Sequence, residues 1–383
     1  MTDDVGTPSR PLALLLTGGG ARAAYQVGVL RYLAKLDPQL QIPIVTGVSA
    51  GGINAACMAA NVDRFDECVE NLCDLWLSLD PGSVFRVDSL SLGRGVLSWL
   101  LRLSSGGSAL APQTRGLVDT SPLRDFLEKA LNSEQGVLGG ISRNLESGRL
   151  KAVGLTTVEY ATGRTVLWTQ GAEVQDWQRP QRRSVETRLT VDHVMASAAL
   201  PLLFPAIRLE HCWHGDGGVR LTSPLSPAIH MGARRILAIS TRYRRTAGEA
   251  AHPALEGYPP PAQIAGVLMN AIFLDLLDQD AIHLERTNRL LRHANDAGRE
   301  DLAHVDLLVL RPSVDLGRLA SDFEARLPRG FRFLTRGLGT RETKSSDLLS
   351  MLMFQRDYVE RLIEIGEADA EAQREEISAL LAV

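Results

Sequence analysis

The sequence predicts an α/β fold with a mainly parallel central sheet, and three observations carry that expectation. Short apolar runs at Leu12–Leu16, 42–46, 151–157, 235–240 and Asp306–Leu310 have the length and continuous hydrophobicity of strands buried on both faces. The first two are each followed by a glycine turn and then a helix-period segment, giving strand, turn, helix, strand, turn, helix. No repeat or low-complexity linker divides the 383 residues into independently folding pieces.

The elements follow in order. Residues 12–16 (LALLL) read as a strand that ends in Gly18-Gly19-Gly20. A helix over 21–36 then places Tyr25, Gly28, Val29, Tyr32, Leu33 and Leu36 at helical spacing. A strand at 42–46 leads through Gly47-Val48-Ser49-Ala50-Gly51 into a small-residue helix over 50–61, able to pack closely on a sheet. An amphipathic helix over 62–79 stops at Asp80-Pro81-Gly82. From 83 to 114 serines and glycines surround one apolar piece, 96–103. That insertion reads either as an ordinary buried helix or as a cap over the site. Thr120-Ser121-Pro122 starts a helix running to about residue 131.

Strands at 151–157 and 165–169 are joined by a turn at Thr162-Gly163. A helix over 191–199 is stopped by Pro201, and 207–214 leads into Asp216-Gly217-Gly218. Beyond the strand at 235–240, Pro259-Pro260-Pro261 precedes a long helical stretch over 263–293. The last strand is Asp306–Leu310, and the chain is helical from 347 onward. We therefore expect a catalytic core over 12–230, including the insertion at 83–114, and an α/β continuation over 231–383 packed on it.

Composition excludes several classes. An apolar fraction of 45% and a net charge of -4 argue against disorder and against bulk nucleic-acid binding. No run approaches the ~18 apolar residues a bilayer crossing needs, and MTDDVGTPSR is acidic, unlike a secretory leader. Cys57, Cys68, Cys73 and Cys212 lack metal-ligand spacing. The first three sit in apolar, helix-like surroundings, consistent with buried thiols in a reducing, cytoplasmic setting with peripheral membrane contact.

The glycine turns admit several chemistries. Gly18-x-Gly20-x-x-Ala23 after a strand fits a relaxed dinucleotide fingerprint, with Asp37 as the nearby acid. That reading gives no role to the second turn, a G-x-S-x-G pentapeptide in which Ser49 follows an apolar strand. Flanking small residues allow a sharp bend that projects the hydroxyl, although serine is also an ordinary helix N-cap. Asp216-Gly217-Gly218 reads as a turn, or as a carboxylate at a strand end where glycines let another backbone approach. An α/β-hydrolase triad would need a histidine from His230, His283, His293 or His304. His214, with Cys212 and Asp216, shares one face of an extended segment. A metal there would need a further partner, so no metal is expected and His214 reads as a structural neighbour. Arg326, Arg329, Arg332, Arg336, Arg341 and Lys344 surround Phe331, Phe333 and Leu334. This is either a solvated basic loop or a docking patch for anionic lipid, worth ~1 kcal/mol per basic residue near a charged membrane.

Gly18-Gly19-Gly20-Ala21-Arg22, Gly47-Val48-Ser49-Ala50-Gly51 and Asp216-Gly217-Gly218, in this order, resemble the signature of the patatin-like phospholipases. The block at 196–205 (ASAALPLLFP) also resembles a family block upstream of the aspartate. The likeness covers roughly residues 12 to 230, and the four motifs together are specific where each alone is modest. The resemblance implies a three-layer α/β/α fold with a helical C-terminal portion and a Ser-Asp dyad. Ser49 would attack an ester carbonyl and Asp216 would take its proton. Backbone N–H groups of Gly18, Gly19, Gly20, Ala21 and Arg22 would form the oxyanion hole. Gly47 and Gly51 would shape the nucleophile's bend, and Gly217 and Gly218 would support the aspartate. The implied partner is a lipid or other acyl ester, with no cofactor and no nucleic acid. Ala23 stands where the family commonly has glycine. An aspartate of ordinary pKa, ~3.9, is a feeble base, so the dyad requires a desolvated site.

Overall fold

A computed structural model of the chain describes residues 10–86, 97, 101, 104, 116–171, 176–251, 258–273, 276–293, 302–327, 332 and 347–382. Most of the expected cap (87–96, 98–100, 102–103 and 105–115) lies outside the described residues. So do Arg329, Phe331, Phe333, Leu334, Arg336, Arg341 and Lys344 of the basic segment. The two described members of that segment are engaged by the chain itself. Arg326 pairs with Asp357 and lies over the Phe323 ring, and Arg332 donates to the Ala325 carbonyl.

Ten described strands form one sheet: β1 (Leu12–Leu16), β2 (Ile44–Val48), β3 (Ala152–Glu159), β4 (Arg164–Gly171), β5 (Gln178–Arg179), β6 (Arg182–Glu186), β7 (Ile207–Leu209), β8 (Cys212–Asp216), β9 (Arg235–Ile239) and β10 (Asp306–Leu310). Their order is β10-β9-β1-β2-β3-β4-β6-β5, with β8 also paired to β3 and β7 to β8. The five strands from β10 to β3 are mutually parallel, β4 and β8 run antiparallel to β3, and β6 runs parallel to β4. Mostly parallel, buried strands explain why the apolar runs are continuous rather than alternating.

Side chains of β1 divide between two layers because successive residues point to opposite faces. Leu12, Leu14 and Leu16 join a core with helices α1 (Ala24–Leu36), α2 (Ala50–Ala60), α3 (Phe65–Leu77) and Arg356–Ala372. Ala13 and Leu15 join a second core with Ile236, Ala238, Ala228 and Leu277, beneath helices Ser226–His230 and Leu276–Leu291. Helices on both faces of the sheet make the expected three layers.

Several element boundaries depart from sequence expectation for identifiable reasons. The strand expected at 42–46 begins at Ile44, because Pro43 has no N–H, while its carbonyl accepts from Lys151 N and Ala152 N. The helix expected from residue 62 starts at Phe65, because the Asn61 side chain accepts from Asp63 N at 2.8 Å and closes a turn first. The run 207–216 is a hairpin, with Glu210 at φ 51 in its turn. The stretch 263–293 comprises two helices, Pro261–Phe273 and Leu276–Leu291.

Helix Arg356–Ala372 lies against α1 at glycine-limited distance. A Cβ on Gly28 would come within 2.0 Å of Ile363 O, and one on Gly366 within 2.1 Å of Tyr25 O. Glu367 then receives Arg31 and Lys35 across the same seam. Helix propensity alone would make Gly28→Ala stabilising by ~1 kcal/mol. The backbone contact reverses the sign, and we expect a loss of ~2 kcal/mol or more. Thermal melting checks this; a Tm at or above wild type would contradict the close seam.

Candidate active site

Ser49 stands at the end of β2 in a backbone conformation that side chains seldom adopt, φ 58 and ψ -135. Such strain costs on the order of 1–3 kcal/mol and persists only where the surroundings over-determine it. Gly47 and Gly51 supply the crowding that forces the bend. A Cβ on Gly47 would lie 2.4 Å from Gly51 O, and one on Gly51 would lie 2.4 Å from Leu16 O. Ser197 completes the clamp: Ser49 N donates to both Ser197 O and Ser197 Oγ at 3.1 Å, and Ser197 Oγ donates to Thr156 O at 2.8 Å. Helix α2 begins at the next residue, so its positive end faces the serine.

Asp216 reaches this point from the opposite direction. Val48 of β2 pairs with Thr156 of β3, and Asp216 of β8 pairs with the next residue, Thr157. The two strands therefore run head to head along one edge of β3, and their ends abut. Asp216 N donates to Ala199 O at 3.0 Å, so the segment 196–199 holds both Ser49 and Asp216. Gly217 must be glycine, since a Cβ there would meet Thr156 O at 2.3 Å.

The Asp216 carboxylate is fully buried. Oδ1 accepts from Gly218 N at 2.9 Å. The Ser49 side chain is close enough to act on the carboxylate as a hydrogen-bond donor. It does not satisfy Oδ2, which is buried without a partner of good geometry. Burial outweighs the bonds from Ser49 and Gly218, and the pKa is pushed up to about 7. His214 is no competitor for the role of base. It is buried, shares a 3.0 Å hydrogen bond with Thr157 Oγ1, and packs edge-on to Trp168; desolvation pushes its pKa down to about 4. His230 stacks on Trp177, His304 lies 3.3 Å from Asp306, and His283 and His293 are exposed. Among the described residues no group of metal-ligating side chains converges. The free thiols Cys57 and Cys73 are pushed up to about 12 and 11 by burial, which leaves them protonated.

The first glycine turn lies directly over the serine: a Cβ on Gly18 would be 2.9 Å from Ser49 Cβ. Gly19 and Gly20 take positive φ, 148 and 58, that glycine accepts freely. The carbonyls of Thr17, Gly18 and Gly19 are each occupied. Gln26 Nε2 donates to Thr17 O (2.8 Å), Thr241 Oγ1 to Gly18 O (2.6 Å) and Arg22 N to Gly19 O (3.2 Å). The N–H groups of Gly19 and Gly20 meet no acceptor among the described residues. Arg22 departs from its expected place in the hole, because its N–H is spent inside the turn. Its guanidinium turns instead to Asp347 and Ser350, and so ties the turn to helix Asp347–Leu352. Behind Gln26 a buried relay continues: Asn54 Nδ2 donates to Gln26 Oε1 (2.9 Å) and Trp76 Nε1 to Asn54 Oδ1 (2.7 Å).

Sequence reasoning had assigned no role to Ser197, Gln26, Asn54 or Thr241. Asn54 did carry a signal, as the one polar side chain in the helix AGGINAACMAA. Thr241 lies beyond the stretch where the motifs fall. The dinucleotide reading fails on geometry: the Gly18–Gly20 turn faces Ser49, and Asp37 caps a turn through Gln39 N at 2.9 Å.

Beside Ser49 and Gly20 lies a narrow apolar cavity of about 40 Å³. Ile53, Trp76, Leu79, Leu123, Phe204 and Phe354 are among its walls, and Trp76 stacks on Phe354 with centroids 6.5 Å apart. This lining suits a slender apolar group, such as a hydrocarbon chain, with polar atoms at one end.

A bent serine beside a buried carboxylate, under backbone N–H groups that meet no acceptor among the described residues, is an arrangement that acyl-transfer chemistry can use. The family comparison agrees: the model of the patatin-like phospholipases matches residues 14–229. The chain belongs to that family of ester-hydrolysing enzymes. No curated protein matches the chain. Among solved structures it is similar to human GIVD cytosolic phospholipase A2, with 12% identity over 97% of this chain and 60% of that one and a TM-score of 0.51. It also aligns with VipD from Legionella pneumophila (15% identity, 94% of this chain and 67% of that one, TM-score 0.38). A third alignment is with ExoU, in its complex with SpcU from Pseudomonas aeruginosa (18% identity, 97% and 79%, TM-score 0.28). Only the first superimposes well enough to speak for the fold, and the chain spans 60% of its length.

Burying Asp216 has a consequence for stability. Its pKa in the fold, about 7, lies above the ordinary 3.8. The fold therefore favours the protonated form. That contribution is fully present below pH ~4 and is lost as pH rises through ~7. Asp216→Asn should raise Tm, by the equivalent of ~1–2 kcal/mol at pH 5 and of ~4 kcal/mol at pH 8. Melting curves at the two pH values check this; an equal or reversed difference would refute the buried-carboxylate account.

Proposed function

We propose that the chain is a lipid acyl hydrolase that cleaves carboxylic esters of phospholipids or related lipids through Ser49 and Asp216. The observation that carries this is the head-to-head meeting of β2 and β8 on β3, which puts a serine and a carboxylate together with no histidine between. Ser49 Oγ attacks the ester carbonyl carbon as its proton passes to the Asp216 carboxylate. The oxyanion that forms is held by the free N–H groups of Gly19 and Gly20, donors already fixed before the reaction begins. When the tetrahedral intermediate collapses, the C–O bond to the alcohol breaks and Asp216 returns the proton to the leaving oxygen. Water then adds to acyl-Ser49, again losing its proton to Asp216; the bond from the acyl carbon to Oγ breaks, Asp216 returns the proton to Ser49 Oγ, and the carboxylic acid departs.

A pKa near 7 suits both halves of that cycle, since the same group must accept and then release a proton. The apolar cavity beginning at Ser49 supports an acyl substrate, and family membership supports a lipid. No described helix is long and apolar enough to cross a membrane.

Ser49→Ala and Asp216→Asn should each lower kcat on a phospholipid or p-nitrophenyl ester by ~10³-fold or more, with the fold intact. Near wild-type turnover by either purified variant would refute the dyad. The base must be ionised to act, so kcat/KM should rise with pH to a plateau, with its midpoint near 7. A pH-rate profile flat from 5 to 9 would contradict this.

A further inference from the structure

The acyl cavity does not end in solid core. Beyond it, between the far halves of the same three helices, lies a second hollow of about 340 Å³. On α2 the cavity takes Ser49 and Ile53, while the hollow takes Cys57 and Ala60, along one face of the helix. On α3 the cavity takes Trp76 and the hollow takes Leu72 and Cys68. On helix Ser121–Ala130 the cavity takes Leu123 and Leu127, and the hollow takes Ala130 with the following Leu131. On all three helices the lining passes from one space to the other along the chain, and Leu75 is the residue that lines both.

The chemistry changes at that wall as well. On the cavity side the surroundings of Leu75 are aliphatic and aromatic. On the far side stand Asn61, Asp63, Asn71, Asn132 and Arg143. A hydrocarbon tail pushed past Leu75 would exchange apolar burial for contact with amides, a carboxylate and a guanidinium, and so lose its reason to be there. The available length is limited too. Ile53 and Cys57 lie four and eight residues along α2 from Ser49, about 6 and 12 Å. One leaflet of a bilayer core is about 15 Å thick, so a fully extended membrane acyl chain would overrun the wall.

We infer that Leu75 is the partition that sets the acyl length this site selects: a medium chain ending against Leu75 is preferred to a long one that must pass it. The inference rests on the proposed acyl-hydrolase reading, since it assumes the acyl group enters this cavity. The test measures kcat/KM on p-nitrophenyl butyrate, octanoate and palmitate in mixed micelles. Wild type should climb from butyrate to octanoate and fall at palmitate. Leu75→Ala should raise the palmitate-to-octanoate ratio about tenfold, and Leu75→Phe should shift preference toward butyrate by a similar factor. Adding Asn71→Trp to Leu75→Ala, which fills the hollow from its exposed side, should bring the ratio back toward wild type. The partition is overturned by a wild-type profile that keeps climbing through palmitate, a result that needs no variant to fold. It is overturned equally by active Leu75 variants whose ratios do not move. A wild-type protein that hydrolyses none of the three esters refutes the acyl-hydrolase reading itself, and is thereby told apart from a failure of the partition alone.

Discussion

Ser49 and Asp216 face one another because β2 and β8 run toward each other along the same edge of β3, and this meeting is unfavourable on both sides. The serine is held at a positive φ, and the carboxylate is sealed from water with one oxygen unsatisfied. Each costs on the order of 1–3 kcal/mol, a large share of the ~5–15 kcal/mol that separates a typical fold from its unfolded chain. Much of the surrounding structure is explicable as what holds this arrangement in place. Ser197 fixes the serine, Gly218 holds one carboxylate oxygen, and glycines at 18, 47, 51 and 217 permit approaches that any Cβ would block.

The restraint extends well past the part of the chain that carries the motifs. Thr241, at the end of β9, turns Gly18 O away from the serine, and Met351 O lies against Gly20. Arg22 ties the same turn to helix Asp347–Leu352. The family match stops at residue 229, yet β9 pairs with β1 along all five residues of that strand. The C-terminal third is thus part of the wall on which the first glycine turn is hung, and no appendage to it.

The parallel strands were legible in the sequence because burial on both faces leaves continuous apolar runs, as in LALLL. The bends were legible because glycine is the residue that tolerates them. Ser49 and Asp216 could be named from their motifs, and the order of the motifs pointed to the family. Other features leave no such mark. Strand β6, with the sequence RRSVE, is an edge-region strand with an alternation too short and too basic to register. Helix Gly139–Glu146 is brief and begins at Leu138 without a capping side chain. Arg22 looked like part of the oxyanion turn, but the partner that draws its side chain away lies 325 residues further on. The apolar cavity beside Ser49 was invisible for a different reason: its walls are ordinary leucines and phenylalanines from several elements, each indistinguishable from core until the helices are seen to part.

The segment 196–199 acts on both members of the site, accepting from Ser49 N at one end and from Asp216 N at the other. The spacing of Ser49 and Asp216 is therefore set by a few residues of backbone and by the ladder on β3, rather than by the length of chain that joins them. Between Ser49 and Asp216 the chain is free to lengthen, shorten or acquire new surface elements, as loops do at small entropic cost. What cannot drift is the register of a single strand edge. A lineage that inserts or deletes sequence between these two residues can vary what the enzyme touches while the distance on which its chemistry depends stays fixed.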